Sequence, residues 1–196
     1  MTEAALVRTI NGVEAPVAGT WEIDPAHSSM DFVARYLMVT KVRGHFSDYS
    51  GSLHVAERPE DSWAEVVIKA ASIDTGNEQR DGHLRSPDFL DVEHYPEIRF
   101  RSTKIEVTGR TTLRVTGDLT IRDVTRPLVL EAEYGGVTRD PFGNTKAAFS
   151  ASTEIDREEF GAKWNVALET GGVLVGRQVK LELDVLAVLK EDGQDS

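Results

Sequence analysis

The sequence contains no cysteine among its 196 residues. Without thiols there is no disulfide, no cysteine nucleophile and no cysteine-ligated zinc or iron–sulfur centre. Positive charge is also scarce, because 22 lysines and arginines face 33 aspartates and glutamates, for a net charge of −11. Nucleic-acid binding needs clustered positive charge that displaces counterions from phosphates. The composition therefore argues against a nucleic-acid partner.

Long hydrophobic runs are missing as well. A membrane-spanning helix needs about 20 consecutive apolar residues, and no run in the sequence approaches that length. The chain begins MTEAALVRTINGVEAPVAG, which lacks the basic segment and following apolar run of a secretory signal. We therefore expect a cytoplasmic protein without stable membrane insertion.

The length and composition predict one folded domain with short irregular ends. Hydrophobic residues make up 40% of the chain and charged residues 28%, which is typical of a folded soluble protein. Residues 1–18 lack a clear period and contain Gly12 and Pro16, so we predict a flexible N-terminal segment there. Residues 19–190 form the predicted domain, and the acidic residues 191–196 a disordered tail.

Alternation of apolar and polar residues dominates that domain. The stretch TTLRVTGDLTIR (111–122) places Leu113, Val115, Leu119 and Ile121 on one face. Similar half-buried antiparallel strands are predicted at 20–24, 30–38, 42–55, 64–70, 96–107, 125–138, 147–155 and 178–185. About nine such strands expose sheet edges unless the sheet closes or doubles over. A closed barrel of about eight strands is either filled by side chains or holds one small ligand.

Signals for helices are few and local. Thr75 and Glu78 have the spacing of a capping box, which predicts a helix capped by Thr75. Ser86-Pro87-Asp88 predicts a second helix start. A third short turn is predicted after Asp156, and the stretch from Asp24 to Ser29 is predicted to be a turn leading into a strand.

Motifs for a chemical reaction are weak. There is no G-x-S-x-G, H-E-x-x-H or G-x-G-x-x-G sequence, and Asp81-Gly-His83 is too short a pattern to predict a metal site. The densest polar stretch, NEQRDGHLRSPDFLDVEHYP (77–96), contains Arg80-Asp81-x-His83. These side chains either fix a helix to a strand, contact a ligand headgroup, or serve an enzyme acting on a hydrophobic substrate. We expect no catalysis and no metal.

The same middle region carries a specific combination of short motifs. It reads Ile73-Asp74-Thr75-Gly76-Asn77, then Arg80-Asp81-x-His83-Leu84, then Asp88-Phe89 and Tyr95-Pro96. With WEIDPAHSSMDF (21–32), VRGHFSDYSG (42–51), GDLTIRDVTRPLVL (117–130) and EFGAKWN (159–165), it resembles the YceI-like family of lipocalin-like, polyisoprenoid-binding proteins. The resemblance covers nearly the whole chain.

The resemblance implies an all-β fold: an antiparallel lipocalin-like barrel of about eight strands, with short helices closing one end. It also implies a long amphiphile, such as an isoprenoid or fatty-acid derivative, in an apolar pore, no catalysis, no cofactor besides that lipid, and a homodimer as a common state. The residues alone favour a filled barrel, for instance a stress-related interaction module, but the resemblance favours a pore. The predicted pore lining is Phe32, Ala34, Tyr36, Val66, Ile68, Phe100, Leu119, Ile121 and Phe149, and the predicted polar end or lid is Arg80, Asp81, His83 and Phe89.

Two residues depart from the family pattern. Tyr36 stands where the family usually has histidine, and Asp123 stands where glycine is usual. If the family histidine touches a polar end of the ligand, Tyr36 keeps a hydroxyl donor there but carries no positive charge. Asp123 is expected to change only a turn, since aspartate tolerates turn conformations.

Overall fold

A computed structural model of the chain describes residues 6–10 and 12–190. The predicted disordered tail, 191–196, lies outside the described residues. The strands are β1 (Val7–Ile10), β2 (Val13–Pro16), β3 (Gly19–Ile23), β4 (Ser29–Tyr36), β5 (Thr40–Phe46), β6 (Tyr49–Val55), β7 (Trp63–Lys69), β8 (Ile73–Asp74), β9 (Glu97–Val107), β10 (Thr112–Ile121), β11 (Val124–Arg139), β12 (Thr145–Asp156) and β13 (Val175–Leu189). The helix α1 spans Glu78–Arg85, and 3-10 turns span Pro25–His27, Pro59–Asp61, Ala70–Ser72 and Arg157–Phe160.

Eight of these strands form a closed antiparallel barrel. Its order is β3-β6-β7-β9-β10-β11-β12-β13, and β13 returns to pair with β3. Closure satisfies the backbone hydrogen-bonding groups that an open sheet would leave at its two edges. The prediction of an all-β barrel of about eight antiparallel strands is confirmed.

The strand β13 is long enough to pair with two successive strands on one side. Its residues 187–189 pair with β3, and its residues 175–184 pair with β4. The predicted turn after Asp24 separates those two strands, and the Asp24 carboxylate accepts a hydrogen bond of 3.1 Å from the Ala26 amide. Beyond β4, the strands β5 and β8 extend the sheet past the barrel.

An N-terminal hairpin lies within the segment predicted to be flexible. The strands β1 and β2 pair antiparallel. The Arg8 guanidinium holds the hairpin to the chain after β6, since it donates hydrogen bonds to the Glu57 carbonyl (3.1 Å) and the Glu57 carboxylate (2.9 Å). Each strand has only four residues, which is too short for alternation to be recognised in the sequence.

Two of the predicted local starts and one strand end are wrong, and the single strand predicted over 42–55 is two strands, β5 and β6. The cap of α1 is Asn77 rather than Thr75, and its side-chain oxygen accepts from the Arg80 amide at 2.9 Å. No helix begins at Ser86, because the Leu90 amide donates back to the Leu84 carbonyl of α1 and turns the chain. The strand predicted over 30–38 ends at Tyr36, since Leu37 and Met38 have positive φ angles of 51° and 65°.

The third predicted turn is confirmed. The Asp156 side chain accepts from the Glu158 amide at 2.9 Å and begins the turn Arg157–Phe160. Phe160 is almost fully buried in a core cluster that fills one end of the barrel, which we call the filled end. Its buried members are Ala70, Ile98, Leu119, Ile155 and Phe160, and Leu90 and Val92 pack against them from the segment that follows α1. The prediction of short helices at one end of the barrel is confirmed.

Candidate functional site

The other half of the barrel contains a cavity of about 670 Å³. Every barrel strand contributes an apolar side chain to its wall; among them are Ile23, Leu53, Val66, Phe100, Val115, Leu130, Phe149 and Val185. A wholly filled core, which the residues alone favoured, is therefore wrong for this half. A space of this size and apolar lining suits a small hydrophobic ligand.

Phe100 forms the floor of the cavity. It borders the cavity on one side and packs against the filled-end cluster on the other. Gly117 on the neighbouring strand makes room for its ring, because a Cβ atom at Gly117 would lie 2.5 Å from Phe100 Cζ. A Cβ atom at 117 would also lie 2.6 Å from the Arg101 carbonyl oxygen, so the position of the Phe100 ring depends on this glycine.

One alternating face runs through both halves of the barrel. On β10, Leu113 and Val115 line the cavity, whereas Leu119 lies in the filled-end cluster. Small side chains border the hollow half at Ala132 and Ala151, which are paired across β11 and β12. Because both side chains are small and face the interior, they do not reach the side chains on the opposite side of the barrel, and empty space remains between them.

The structure divides the predicted pore-lining residues into three groups. Val66, Phe100 and Phe149 line the cavity. Ile68, Leu119 and Ile121 pack in or against the filled-end cluster instead. The third group lies further along β4: Phe32 packs on Phe46 with ring centroids 5.7 Å apart, Ala34 pairs with Val179, and Tyr36 is 40% exposed.

The third group lies away from the cavity because β4 pairs with the part of β13 that leads to the filled end. Tyr36, in particular, sits at the last residue of β4, so the hydroxyl donor expected there does not reach the hollow half. As ligand contacts, the nine predicted lining residues stay a prediction.

Several lining residues were not named from the sequence. Leu53, Leu130 and Val185 lie on strands that were predicted, and the same alternation that gave Val66 would have identified them. Tyr134 follows this alternation as well, since it shares the inner face of β11 with Leu130 and Ala132, and the bulge in that strand begins only after it. Tyr134 pairs with Phe149, but Gly136 rather than Gly135 pairs with Ala148.

The open end of the cavity, which we call the mouth, is bordered by the β1–β2 hairpin, the segment around Pro59–Asp61 and the loop between β9 and β10. Three acidic and three basic side chains border it: Glu14, Glu60, Glu106, Arg8, Lys104 and Arg110. Arg8 pairs with Glu57 at 2.9 Å, and Lys104 pairs with Glu106 at 2.7 Å. The Lys104 ammonium lowers the pKa of the Glu106 carboxyl. The mouth is therefore polar but balanced in charge.

Tyr134 brings a buried hydroxyl to the mouth end of the cavity. The residue is 7% exposed, and its ring packs against Phe149 at 5.6 Å between centroids. Burial, with a contribution from the Glu14 carboxylate, raises the pKa of Tyr134 to about 12. Among the residues that the structure describes, the Tyr134 hydroxyl has no hydrogen-bond partner. At neutral pH it is an unused O–H donor.

The predicted polar residues Arg80 and Asp81 anchor α1 to the chain. The Arg80 Nε donates to Thr75 Oγ1 at 2.7 Å, and the buried Asp81 carboxylate accepts from the Thr75 amide at 3.0 Å. Both side chains thus bind Thr75 rather than each other. This supports the interpretation that they fix a helix in place, although through a shared partner instead of an Arg–Asp pair.

His83 and Phe89 also lie at the filled end. The His83 ring meets Trp164 and Phe89 edge to face, at 4.5 Å and 5.1 Å between centroids, and His83 Nε2 lies 2.8 Å from the Asp88 carboxylate. None of the four predicted lid residues lines the described cavity, which opens at the other end of the barrel. Their contact with a ligand stays a prediction.

Arg157 is a polar residue at this end that was not identified from the sequence. It is 7% exposed, and its guanidinium donates to the carbonyls of Gly176 (2.9 Å), Val175 (3.1 Å), Trp164 (3.1 Å) and Ala162. Its Cζ also lies 5.5 Å from the centre of the Phe89 ring. Burial lowers the pKa of Arg157. The residue ties the Arg157–Phe160 turn to the strand that closes the barrel.

Asp123, which stands where the family usually has glycine, lies in a turn, as expected. Arg122 and Asp123 connect β10 to β11, but Arg122 is the residue in the left-handed region, with φ of 58°. The Arg122 guanidinium donates to the carbonyls of Phe89 (2.9 Å) and Gly161 (3.2 Å). The turn therefore helps to seal the filled end.

None of the described helices is long and apolar enough to cross a membrane.

The fold and the cavity together define a closed antiparallel β-barrel that is sealed at one end and hollow at the other. The YceI-like domain matches residues 21–187. The chain belongs to the YceI-like family.

Similar proteins come from several bacteria. A UPF0312 protein of Pseudomonas savastanoi pv. phaseolicola is 40% identical over 138 residues, which cover 70% of this chain and 72% of that protein. A UPF0312 protein of Vibrio parahaemolyticus is 38% identical over 136 residues, covering 69% of this chain and 72% of that protein.

Solved structures share the barrel. A Campylobacter jejuni YceI protein of known crystal structure is 32% identical to this chain, with a TM-score of 0.68. The match covers 80% of this chain and 90% of that chain. Burkholderia cenocepacia BcnA (22% identity, TM-score 0.70, 84% and 98% coverage) is similar in fold. So is a polyisoprenoid-binding domain from Saccharophagus degradans (14% identity, TM-score 0.62, 89% and 100% coverage).

Proposed function

We propose that the protein binds a long-chain amphiphilic lipid, a polyisoprenoid or a fatty-acid derivative, and acts as a carrier or sequestering protein. The observation that carries the proposal is the cavity of about 670 Å³, which is lined by apolar side chains, floored by Phe100 and open at a polar mouth. A tail fits the apolar space, and a head fits the mouth. The polyisoprenoid-binding domain of Saccharophagus degradans, which has the same fold, supports the ligand class.

Burial of the tail supplies enough free energy for stable binding. Each methylene removed from water contributes about 0.8 kcal/mol, so ten contribute about 8 kcal/mol. Association costs several kcal/mol in lost freedom. Tail length would therefore determine most of the affinity, and the polar groups at the mouth would orient the ligand.

A purely binding role, without catalysis or a cofactor besides the lipid, is part of the proposal. The side chains weighed for an enzyme, Arg80, Asp81 and His83, already contact Thr75 or Asp88 and lie at the end opposite the mouth. A cytoplasmic location and a homodimer stay predictions.

Organic extraction of the purified protein, followed by mass spectrometry, tests the proposal. We expect a long-chain amphiphile to co-purify in an amount comparable to the protein, and delipidated protein to take up added prenyl or fatty ligands. A second purified protein of similar charge, carried through the same extraction, controls for lipid that adheres non-specifically. Repeatedly empty extracts, together with no uptake of added ligands, would contradict the proposed function.

A further inference from the structure

A second, smaller cavity of about 430 Å³ adjoins the mouth. Thr9 of β1, Glu14 of β2, Arg110, Thr111 and the Gly135–Gly136 bulge of β11 border it. Glu14, Arg110, Thr111 and Tyr134 also border the large cavity. The apolar space of the barrel thus meets a polar space, and Tyr134 lies where the two join.

The unpartnered hydroxyl of Tyr134 is costly where it stands. Buried polar groups in folded proteins are nearly always hydrogen-bonded, since otherwise they lose their bonds to water without replacement. The Tyr134 hydroxyl has no partner among the described residues, although more than nine-tenths of the residue is buried. A hydroxyl whose hydrogen-bond partner is a bound ligand would have no partner, as here, in the protein without that ligand.

A bulge in β11 begins directly after Tyr134, and its two glycines border the smaller cavity. The register between β11 and β12 shifts between Tyr134 and Gly136, which leaves one extra residue in β11. Bulges of this kind twist a strand and redirect a neighbouring side chain. Gly136 has φ of 106°, a conformation that residues with side chains rarely adopt, so the bulge depends on glycine.

We propose that the smaller cavity binds the head of the amphiphile, and that the Tyr134 hydroxyl donates a hydrogen bond to an uncharged oxygen acceptor on that head. The inference rests on the proposed function and adds the polar contact and the class of head. A carbonyl oxygen of a ketone, amide or ester has the required chemistry. The tail then extends from Tyr134 toward Phe100.

The charges at the smaller cavity favour an uncharged head over an anionic one. One acid, Glu14, and one base, Arg110, border it, so it carries no net positive charge. Burial is the main cause of the raised pKa of Tyr134, and the negative charge of the Glu14 carboxylate adds to it. A carboxylate or phosphate that approached this hydroxyl would meet the same repulsion. A carbonyl oxygen would gain the hydrogen bond without it.

Three probes of equal chain length test the inference: an alkane, a methyl ketone and a carboxylate, each competed against a fluorescent fatty ligand. Wild-type protein should bind the ketone about five- to tenfold more tightly than the alkane, the worth of one neutral hydrogen bond in a buried site. The ketone should also bind more tightly than the carboxylate. In Tyr134→Phe the ratio of ketone affinity to alkane affinity should fall to about one.

Tyr49→Phe is the matched control. Tyr49 is also 7% exposed, but its hydroxyl already donates to the Ser28 carbonyl at 2.6 Å, and it does not line the described cavities. This variant should keep the wild-type preference for the ketone. A preference that survives in Tyr134→Phe, or a carboxylate that binds more tightly than the ketone, would overturn the inference and leave tail binding intact. Failure of all three probes to bind wild-type protein would overturn the proposed function as well.

Discussion

Replacing Ala132 with tryptophan is expected to weaken the binding of a long-chain amphiphile about a hundredfold. Ala132 lines the cavity and pairs with Leu113 on one side and Ala151 on the other. An indole there occupies the space between Tyr134 and Phe100 that the tail would fill. Excluding about four methylenes from that space removes about 3 kcal/mol of binding free energy.

The barrel should remain folded in this variant, because the added ring enters an existing cavity rather than a packed core. Glu131→Trp is the matched control, since Glu131 is the preceding residue of β11 and is exposed on the outer face. It should bind like wild type. Titration with a fluorescent fatty ligand measures the affinities, and urea denaturation checks the fold. Wild-type affinity in Ala132→Trp would mean that the tail does not occupy this part of the barrel.

Arg157→Ala is expected to lower the free energy of unfolding by about 4 kcal/mol, in the range seen when a buried, hydrogen-bonded charge network is broken. The substitution removes the guanidinium that donates to the carbonyls of Ala162, Trp164 and Gly176, and it leaves the Val175 carbonyl with only the Asn165 side-chain amide. Arg157→Lys should recover only part of the loss. A single ammonium cannot reach acceptors that the planar guanidinium serves in several directions.

Urea denaturation followed by tryptophan fluorescence measures this loss. Arg177→Ala is the comparison, because Arg177 is an exposed neighbour whose ion pairs with Asp156 (2.7 Å) and Glu158 (3.1 Å) lie at the surface. Exposed ion pairs contribute little to stability. A loss in Arg157→Ala as small as that in Arg177→Ala would show that the buried guanidinium does not hold the filled end together.

The strands of the barrel could be predicted from the sequence because each has one face toward the barrel interior and one face toward solvent. In the stretches 111–122 and 178–185 that difference appears as strict alternation, and the structure has strands over both. The position of the cavity could not be predicted in the same way. Leu113 and Leu119 belong to one alternating face, yet only Leu113 borders the hollow half.

Whether a half of the barrel is filled or hollow depends on packing between residues that are distant in the sequence. Phe100 rests against Gly117, and Ala132 lies beside Ala151. These contacts depend on the register of neighbouring strands and on a bulge in β9 opposite Thr116–Gly117. The register between neighbouring strands cannot be predicted from a local pattern of apolar residues.

Tyr134 and Arg157 were missed for related reasons. The Tyr134 hydroxyl is unusual only because no described group reaches it, which is a property of the folded surroundings and not of the residue type. Arg157 lies in a turn that was predicted, but its acceptors follow it by up to 19 residues and come from loop and strand backbone. The cap of α1 was misplaced by two residues because Thr75 and Asn77 are both good caps, and the Thr75 hydroxyl instead serves Asp81.

The central claim is that the hollow half of the barrel holds a tail whose inner end stops at Phe100. Affinities measured for a series of amphiphiles with one head and increasing tail length test it most directly. Each added methylene should tighten binding by about fourfold, until the tail reaches Phe100 and further lengthening has no effect. In Ala132→Trp the plateau should come at a shorter tail. Affinity that does not depend on tail length in wild-type protein would contradict the claim.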